Sequence, residues 1–173
     1  MSSEQTVEIT TQPCQLSRED ALDQVRNRAL AKIKTAVKEI EPTRVVRRYK
    51  PFYSYDVMLT KPVFRGEDDV TEGTIVVDAM TDIARPFTSE AVNEKIKQVS
   101  TGEIIDPELS PDEALVTANS RRMQVEHRER GSIDIDDDPT LVYKPVWIVE
   151  MSNGDVRVVD GVEGDVLSNM IVR

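Results

Sequence analysis

Leu16-Ser17-Arg18-Glu19-Asp20-Ala21-Leu22 returns later in the chain as Leu109-Ser110-Pro111-Asp112-Glu113-Ala114-Leu115. Outward from this pair, Tyr49-Lys50-Pro51 returns as Tyr143-Lys144-Pro145, and Val76-Val77-Asp78 as Val158-Val159-Asp160. The first two motifs lie 33 positions apart in one copy and 34 in the other. Three matches in one order, two of them at near-equal spacing, point to a duplicated unit. A duplication constrains the architecture before any local reading. The last spacing differs, with 29 positions from Tyr49 to Asp78 and 17 from Tyr143 to Asp160. The first copy therefore carries about a dozen extra residues at its tip.

Within the first copy, Ser17 and Asp20 form a capping-box-like pair. Leu22, Val25, Ala29, Ile33, Val37 and Ile40 recur at helical spacing, and Pro42 stops the run. The spacing predicts a helix from Ser17 to Ile40, with Arg26, Lys34 and Lys38 on its polar face. Thr43 to Tyr49 is rich in β-branched residues and reads as a strand that Pro51 breaks. Tyr53, Tyr55, Val57 and Leu59 then alternate with polar residues, the period of a half-buried strand over Phe52 to Leu59. Lys61 to Glu72, with Pro62, Gly66 and a charge run, reads as a loop, and Gly73 to Ala79 as a third strand.

The second copy opens more strongly. Ser110-Pro111-Asp112-Glu113 combines an N-cap serine, proline at the first helical position and glutamate at the third. Ala114, Leu115, Ala118 and Val125 supply the apolar stripe, and Gly131 ends the helix. Tyr143 to Met151 is the main strand, with Trp147 where the first copy has Tyr53. Asn153-Gly154 predicts a type I′ hairpin returning through Asp155 to Asp160. Val92, Ile96 and Val99 suggest a short helix over Thr88 to Val99, and Val166 to Val172 a closing strand or helix. The expected fold class is α+β: two tandem repeats, each one helix packed on an antiparallel sheet of about three strands. The expected division is a polar tail at 1–15, a first repeat at 16–87 with a hairpin insertion at 61–72, a helix and linker at 88–108, and a second repeat at 109–173.

A helix, an aromatic-rich strand, a hairpin and a strand ending in Val-Asp before a glycine turn resembles the PepSY-like modules. The second copy carries the resemblance best, through Ser110 to Leu115, Tyr143 to Glu150 and Val158-Val159-Asp160-Gly161-Val162-Glu163-Gly164. The first shares Val76-Val77-Asp78 but has Asp82 where the second has Gly164. The resemblance implies a non-enzymatic domain that binds or restrains a protein partner, often outside the cell.

The net charge of −10 argues against general nucleic-acid binding, which needs clustered Lys and Arg, and against an anionic membrane surface. The acidic, arginine-over-lysine composition suits a salt-adapted cytoplasm as well as an ordinary acidic protein. Met1 to Pro13 is polar and does not read as a signal peptide. No stretch approaches the ~18 apolar residues of a spanning helix. Cys14 is the single cysteine, so no internal disulfide forms. The expected setting is cytoplasmic or an intracellularly assembled particle.

No Walker loop, dinucleotide fingerprint or Cys/His metal spacing is present. Asp134, Asp136 and Asp138 are weak candidates for a divalent cation, since the run lacks the glycine and distal glutamate of an EF-hand. Asp78 and Asp160 stand at strand ends before turns, where a carboxylate accepts backbone N–H bonds. His127 has no base partner or nucleophile at a recognisable spacing. Arg44, Arg47, Arg48 and Lys50 are the one basic cluster, read as charge protection of an edge strand or as a partner contact. Phe64 and Arg65 in the extra segment offer an apolar anchor in a polar rim. The expected function is a non-catalytic interaction or structural subunit, without catalytic residue, cofactor or nucleic acid. It would meet a protein partner or its own copies through sheet edges and through Phe64, Arg65, Arg44, Arg48 and Lys50. The alternatives are a regulatory module binding a small ligand or ion between the repeats, and an enzyme whose site the sequence hides.

Overall fold

The computed structural model describes residues 5–32, 41–90, 92 and 94–167. Among them the order is β1 (Thr6–Thr11), α1 (Arg18–Lys32), β2 (Pro42–Lys61), β3 (Asp69–Asp78), β4 (Lys95–Ser100), α2 (Pro111–Glu129), β5 (Ser132–Ile135), β6 (Thr140–Met151), β7 (Val156–Asp160) and β8 (Val166–Leu167). The fold is mixed α+β and mostly sheet. Its eight strands join in one hydrogen-bonded network of order β3-β2-β6-β1-β4, with β5 on β2, β7 on β6 and β8 on β7.

The chain forms two compact units. One is drawn from Met1–Lys50, Glu94–Ile105 and Tyr143–Arg173, the other from Pro51–Asn93 and Asp106–Val142. Each unit thus takes pieces from both expected modules, and the segment 88–108 is not the divide between them.

The second unit is one helix on three antiparallel strands. The latter half of β2 pairs with β3 from Phe52↔Asp78 to Lys61↔Asp69, and with β5 from Val57↔Ile135 to Thr60↔Ser132. Alternation sends Tyr53, Tyr55, Val57 and Leu59 to one face, where Ile75, Val77 and Ile133 join them. Ala114, Ala118 and Val125 of α2 close this core, and the two alanines, one turn apart and fully buried, present no bulk beyond Cβ. The Ser110 hydroxyl accepts the Glu113 N–H at 3.3 Å, while Glu113 accepts the Ser110 N–H at 2.8 Å. Arg130 ends α2 in the left-handed region at φ 53. Gly131 follows because a Cβ there would stand 2.6 Å from the Thr60 carbonyl oxygen.

The first unit sets α1 on the sheet of β2, β6 and β7. Ala21 and Val25 pack on Val149, Met151 and Val159, with Trp147 and Val45 beside them. On the other face Val146, Ile148 and Val158 are buried beneath Val46, Ile105 and Leu167. Thr11 of β1 pairs in parallel with Tyr143, and β4 runs antiparallel along β1 from Thr6↔Ser100 to Thr11↔Lys95.

Several expectations are corrected. The polar tail contains β1, because Thr6-Val7-Glu8-Ile9-Thr10-Thr11 is β-branched and pairs with β4. The expected helix at Thr88 to Val99 is instead β4 over Lys95–Ser100; its partner strand supplies the hydrogen bonds that local spacing could not foresee. Pro51 does not break β2, whose twenty residues run through it. β2 lies between β3 and β6 in the sheet order, with β3 paired to its latter half, Phe52 to Lys61. The loop at 61–72 contracts to 62–68, because Lys61 and Asp69 close the ladder. The Asn153-Gly154 turn is not type I′, as only Gly154 has positive φ, at 86°. Gly154 donates to the Met151 carbonyl at 2.9 Å and Met151 N–H to the Asp155 carbonyl at 2.8 Å. This is the three-residue loop with a left-handed glycine. The α1 positions Ile33, Lys34, Val37, Lys38 and Ile40 lie outside the described residues, as do residues 168–173 of the expected closing element.

Candidate interaction surface

The β2–β3 hairpin of one unit and the β6–β7 hairpin of the other close in the same register. Phe52↔Asp78 and Tyr53↔Val77 in one correspond to Val146↔Asp160 and Trp147↔Val159 in the other. Asp78 Oδ1 accepts the N–H groups of Met80 at 2.9 Å and Thr81 at 3.3 Å. Asp160 Oδ1 accepts those of Val162 at 2.8 Å and Glu163 at 3.0 Å. Asp82 (φ 56) and Gly164 (φ 81) take the same left-handed place in the turn that follows. Asparagine, aspartate and glycine are the residues that enter this region at small cost. The turn then holds a helix start. The Ala79 carbonyl accepts from Glu108 and Leu109, and that of Gly161 from Gln15 and Leu16. Tyr53 Oη donates to the Leu109 carbonyl at 2.9 Å, and Trp147 Nε1 to that of Leu16 at 3.1 Å. Asp78 and Asp160 therefore serve as turn acceptors.

Ten residue pairs join β2 to β3, against five from β6 to β7. The extra residues of the first copy are thus partly strand. They carry the tip 62–68, which turns at Gly66 with φ 120. Phe64 stands on this tip 96% exposed, with Val63 48% exposed beside it. The Arg65 guanidinium lies 5.8 Å from the Phe64 ring centroid. Lys61 anchors the base of the tip to Glu129 at 2.6 Å.

The other expected partner contacts lie in the first unit. Arg44 is exposed and reaches Glu150 at 3.4 Å. Arg48 is half-buried and donates to the Arg47 carbonyl at 3.4 Å. Lys50 is buried, so it does not offer a contact surface. Phe64 and Arg65 adjoin on one loop, while Arg44, Arg48 and Lys50 belong to the other unit.

The face of β3-β2-β5 opposite α2 bounds an open groove of about 530 Å³ lined by Asp56, Met58, Glu72, Asp134 and Asp136 among others. Two of the weak metal candidates, Asp134 and Asp136, sit there, whereas Asp138 turns back with its N–H on Asp136 Oδ1 at 3.0 Å. Among the described residues no three His, Cys, Asp or Glu side chains are grouped to hold a metal ion. Sequence reading missed this face, although the alternation of Asp56, Met58 and Thr60 against Tyr55, Val57 and Leu59 carries its signal. His127 is exposed on α2, and the Cys14 thiol donates to the Leu16 carbonyl at 3.2 Å.

Burial is the main cause that raises the Tyr53 hydroxyl, and with the nearby Tyr53 and Asp112 it pushes Tyr55 up to about 12. Tyr55 Oη donates to the Pro111 carbonyl at 2.8 Å. A phenol raised by folding contributes stability that is full below its unfolded value of about 10 and is lost as pH rises through the folded value. Tyrosine absorbance should therefore show delayed ionisation of Tyr53 and Tyr55 in the native protein, and stability should fall between about pH 10 and 12. Ionisation of all four tyrosines near pH 10 without unfolding would contradict this arrangement. At the acid end, hydrogen bonds to Ser17 lower Asp20, those to Ser110 lower Glu113, and that from Lys61 chiefly lowers Glu129. Their contribution is present above about pH 4 and fades as pH falls through the lowered values.

Among the described residues no helix is long and apolar enough to cross a membrane. Comparison of the chain with protein-family models, curated proteins and solved structures finds no match.

Proposed function

We propose that this chain is a non-catalytic binding subunit of a larger assembly, docking a protein partner through the tip of the β2–β3 hairpin. The observation that carries the reading is Phe64, 96% exposed on a loop held by a ten-pair ladder. A large ring in water on an ordered support is the kind of anchor that interfaces bury. The scaffold reads as a duplicated PepSY-like helix-and-hairpin unit in which the two copies have exchanged partners. The paired bonds Tyr53 to Leu109 and Trp147 to Leu16 support this, since each joins one copy's hairpin to the other copy's helix start. The single cysteine and acidic composition accord with a cytoplasmic setting.

Replacement of Pro62 to Asp68 by Ser-Asn-Gly, after the 152–154 loop, keeps Lys61↔Asp69 as the closing pair. Stability should stay within about 0.5 kcal/mol, the usual range for surface changes. Pull-down under native salt with mass-spectrometric identification should lose the partner recovered with the intact chain. Unchanged recovery with the shortened chain would rule out the tip as the interface.

A further inference from the structure

The face of β3-β2-β5 turned away from α2 is exposed around Met58 and Val70, whereas Arg85 lies over Phe52 at the other end of β2's latter half. In the first unit the corresponding hairpin face carries Val146, Ile148 and Val158 and is buried beneath Val46, Ile105 and Leu167. In the second unit the strand period presents Val70, Glu72 and Thr74 from β3, Asp56, Met58 and Thr60 from β2, and Ser132 and Asp134 from β5. Glu72, Met58 and Asp134 lie side by side in register. Asp136 continues the row, its N–H on the Asp56 carbonyl at 2.9 Å. Met58 is 41% exposed at the centre, and Val70 52% exposed at the side. Asp56, Glu72, Asp134 and Asp136 surround the thioether, no lysine or arginine lines the groove, and none of the four forms an ion pair among the described residues.

We propose that this sheet face docks a lysine- or arginine-rich segment of a protein partner that lays one apolar side chain on Met58. Charge complementarity selects the occupant: four unpaired carboxylates around an apolar centre repel an acidic surface and favour a basic one. A methionine adapts its shape to the side chain it receives. An apolar centre inside a charged rim is the usual anatomy of an interface. A carboxylate face that served only hydration would have no use for an exposed thioether at its middle. The inference rests on the reading of the chain as a binding subunit, but it uses a different surface from the tip.

The test uses the full-length chain and two synthetic peptides, Lys-Thr-Lys-Leu-Lys-Thr-Lys and its Leu-to-Ser counterpart, titrated by NMR. Amide shifts should concentrate at residues 56–60, 70–74 and 132–136. The variant Asp56→Asn/Glu72→Gln/Asp134→Asn should weaken the leucine peptide about tenfold or more, as expected for loss of an electrostatically matched rim. A control with equal charge loss elsewhere, Glu19→Gln/Asp23→Asn/Glu108→Gln, should leave the affinity nearly unchanged. Met58→Ser should erase the preference for leucine over serine. Equal losses in groove and control variants, shifts spread over the acidic surface, or an unaltered preference in Met58→Ser would each overturn the proposal. The Ser-Asn-Gly tip variant retains this face and should bind the peptide normally, so failure of the tip interface and failure of this one are read separately.

Discussion

Asp160→Ala is expected to destabilise the protein by about 3–5 kcal/mol, the usual result of removing one partner of a buried ion pair. Lys144 and Asp160 form such a pair, each side chain 4% exposed. Without the carboxylate, the Lys144 ammonium keeps, among the described residues, Glu163 Oε2 at 3.6 Å, from a side chain that is 62% exposed. The same substitution frees the N–H groups of Val162 and Glu163, which Asp160 Oδ1 now accepts. The turn they hold presents the Gly161 carbonyl to Gln15 and Leu16. One carboxylate thus supports a charge, a turn and a helix start. Lys144→Met leaves the Asp160 carboxylate buried without its cation, but Oδ1 keeps its two N–H donors and the turn stays intact, so it should cost less than Asp160→Ala. Urea denaturation of the two variants gives the comparison. A loss below about 1 kcal/mol in Asp160→Ala, or a larger loss in Lys144→Met, would contradict the assigned role.

The helix starts and the aspartate turns of this fold are written locally, and they were legible. Ser110 and Glu113 bond as the capping box implies, Ser17 and Asp20 do the same, and Asp78 and Asp160 accept turn N–H groups. Each of these features depends on residues within about three positions of one another. The β4 strand was not legible, because Val92, Ile96 and Val99 follow a helical period, whereas in β4 Ile96 and Val99 take opposite faces, 69% and 3% exposed. Only its pairing with β1 decides between them, and that partner lies some ninety residues away. The continuity of β2 was hidden by Pro51, which lacks an N–H but whose carbonyl accepts the Ala79 N–H at 3.2 Å. A proline can lie inside a strand where the ladder does not require its donor.

This continuity also explains why the compact units do not follow the chain order. A strand that runs on at Pro51 leaves its first half beside β6 and carries its second half to β3 and β5. The helix that precedes β2 therefore packs on the β6–β7 hairpin, and α2 on the β2–β3 hairpin. Motif spacing reports which segments are alike but not which of two like surfaces each will bury. The candidate interface was half legible for the same reason. Phe64 and Arg65 are read from one segment, whereas the acidic face around Met58 needs β5, distant in sequence, to complete it.

Trp147→Ala should cost about 3 kcal/mol, the lower end for a truncated aromatic because the ring is half-buried. The indole packs against the cluster of Ala21, Val25, Val149, Met151 and Val159, beneath α1. Its Nε1 proton goes to the Leu16 carbonyl, the residue before the Ser17 cap, so the ring both fills the core and holds the helix entry. Trp147→Phe keeps much of the packing and removes the bond, and should cost about 1–2 kcal/mol. Tyr53→Phe removes the corresponding bond in the other unit, where Tyr53 donates to Leu109. If the two rings play one role, both phenylalanine variants should lose stability, Trp147→Phe the more because it also removes ring volume. Trp147 is the single tryptophan, so its variants must be followed by circular dichroism, while Tyr53→Phe can be followed by Trp147 fluorescence as well. A loss under about 1 kcal/mol in Trp147→Ala would remove the ring from the core and make it a candidate contact surface. Unchanged stability in either phenylalanine variant would sink the equivalence of the two rings while leaving the other hydrogen bond to be judged alone.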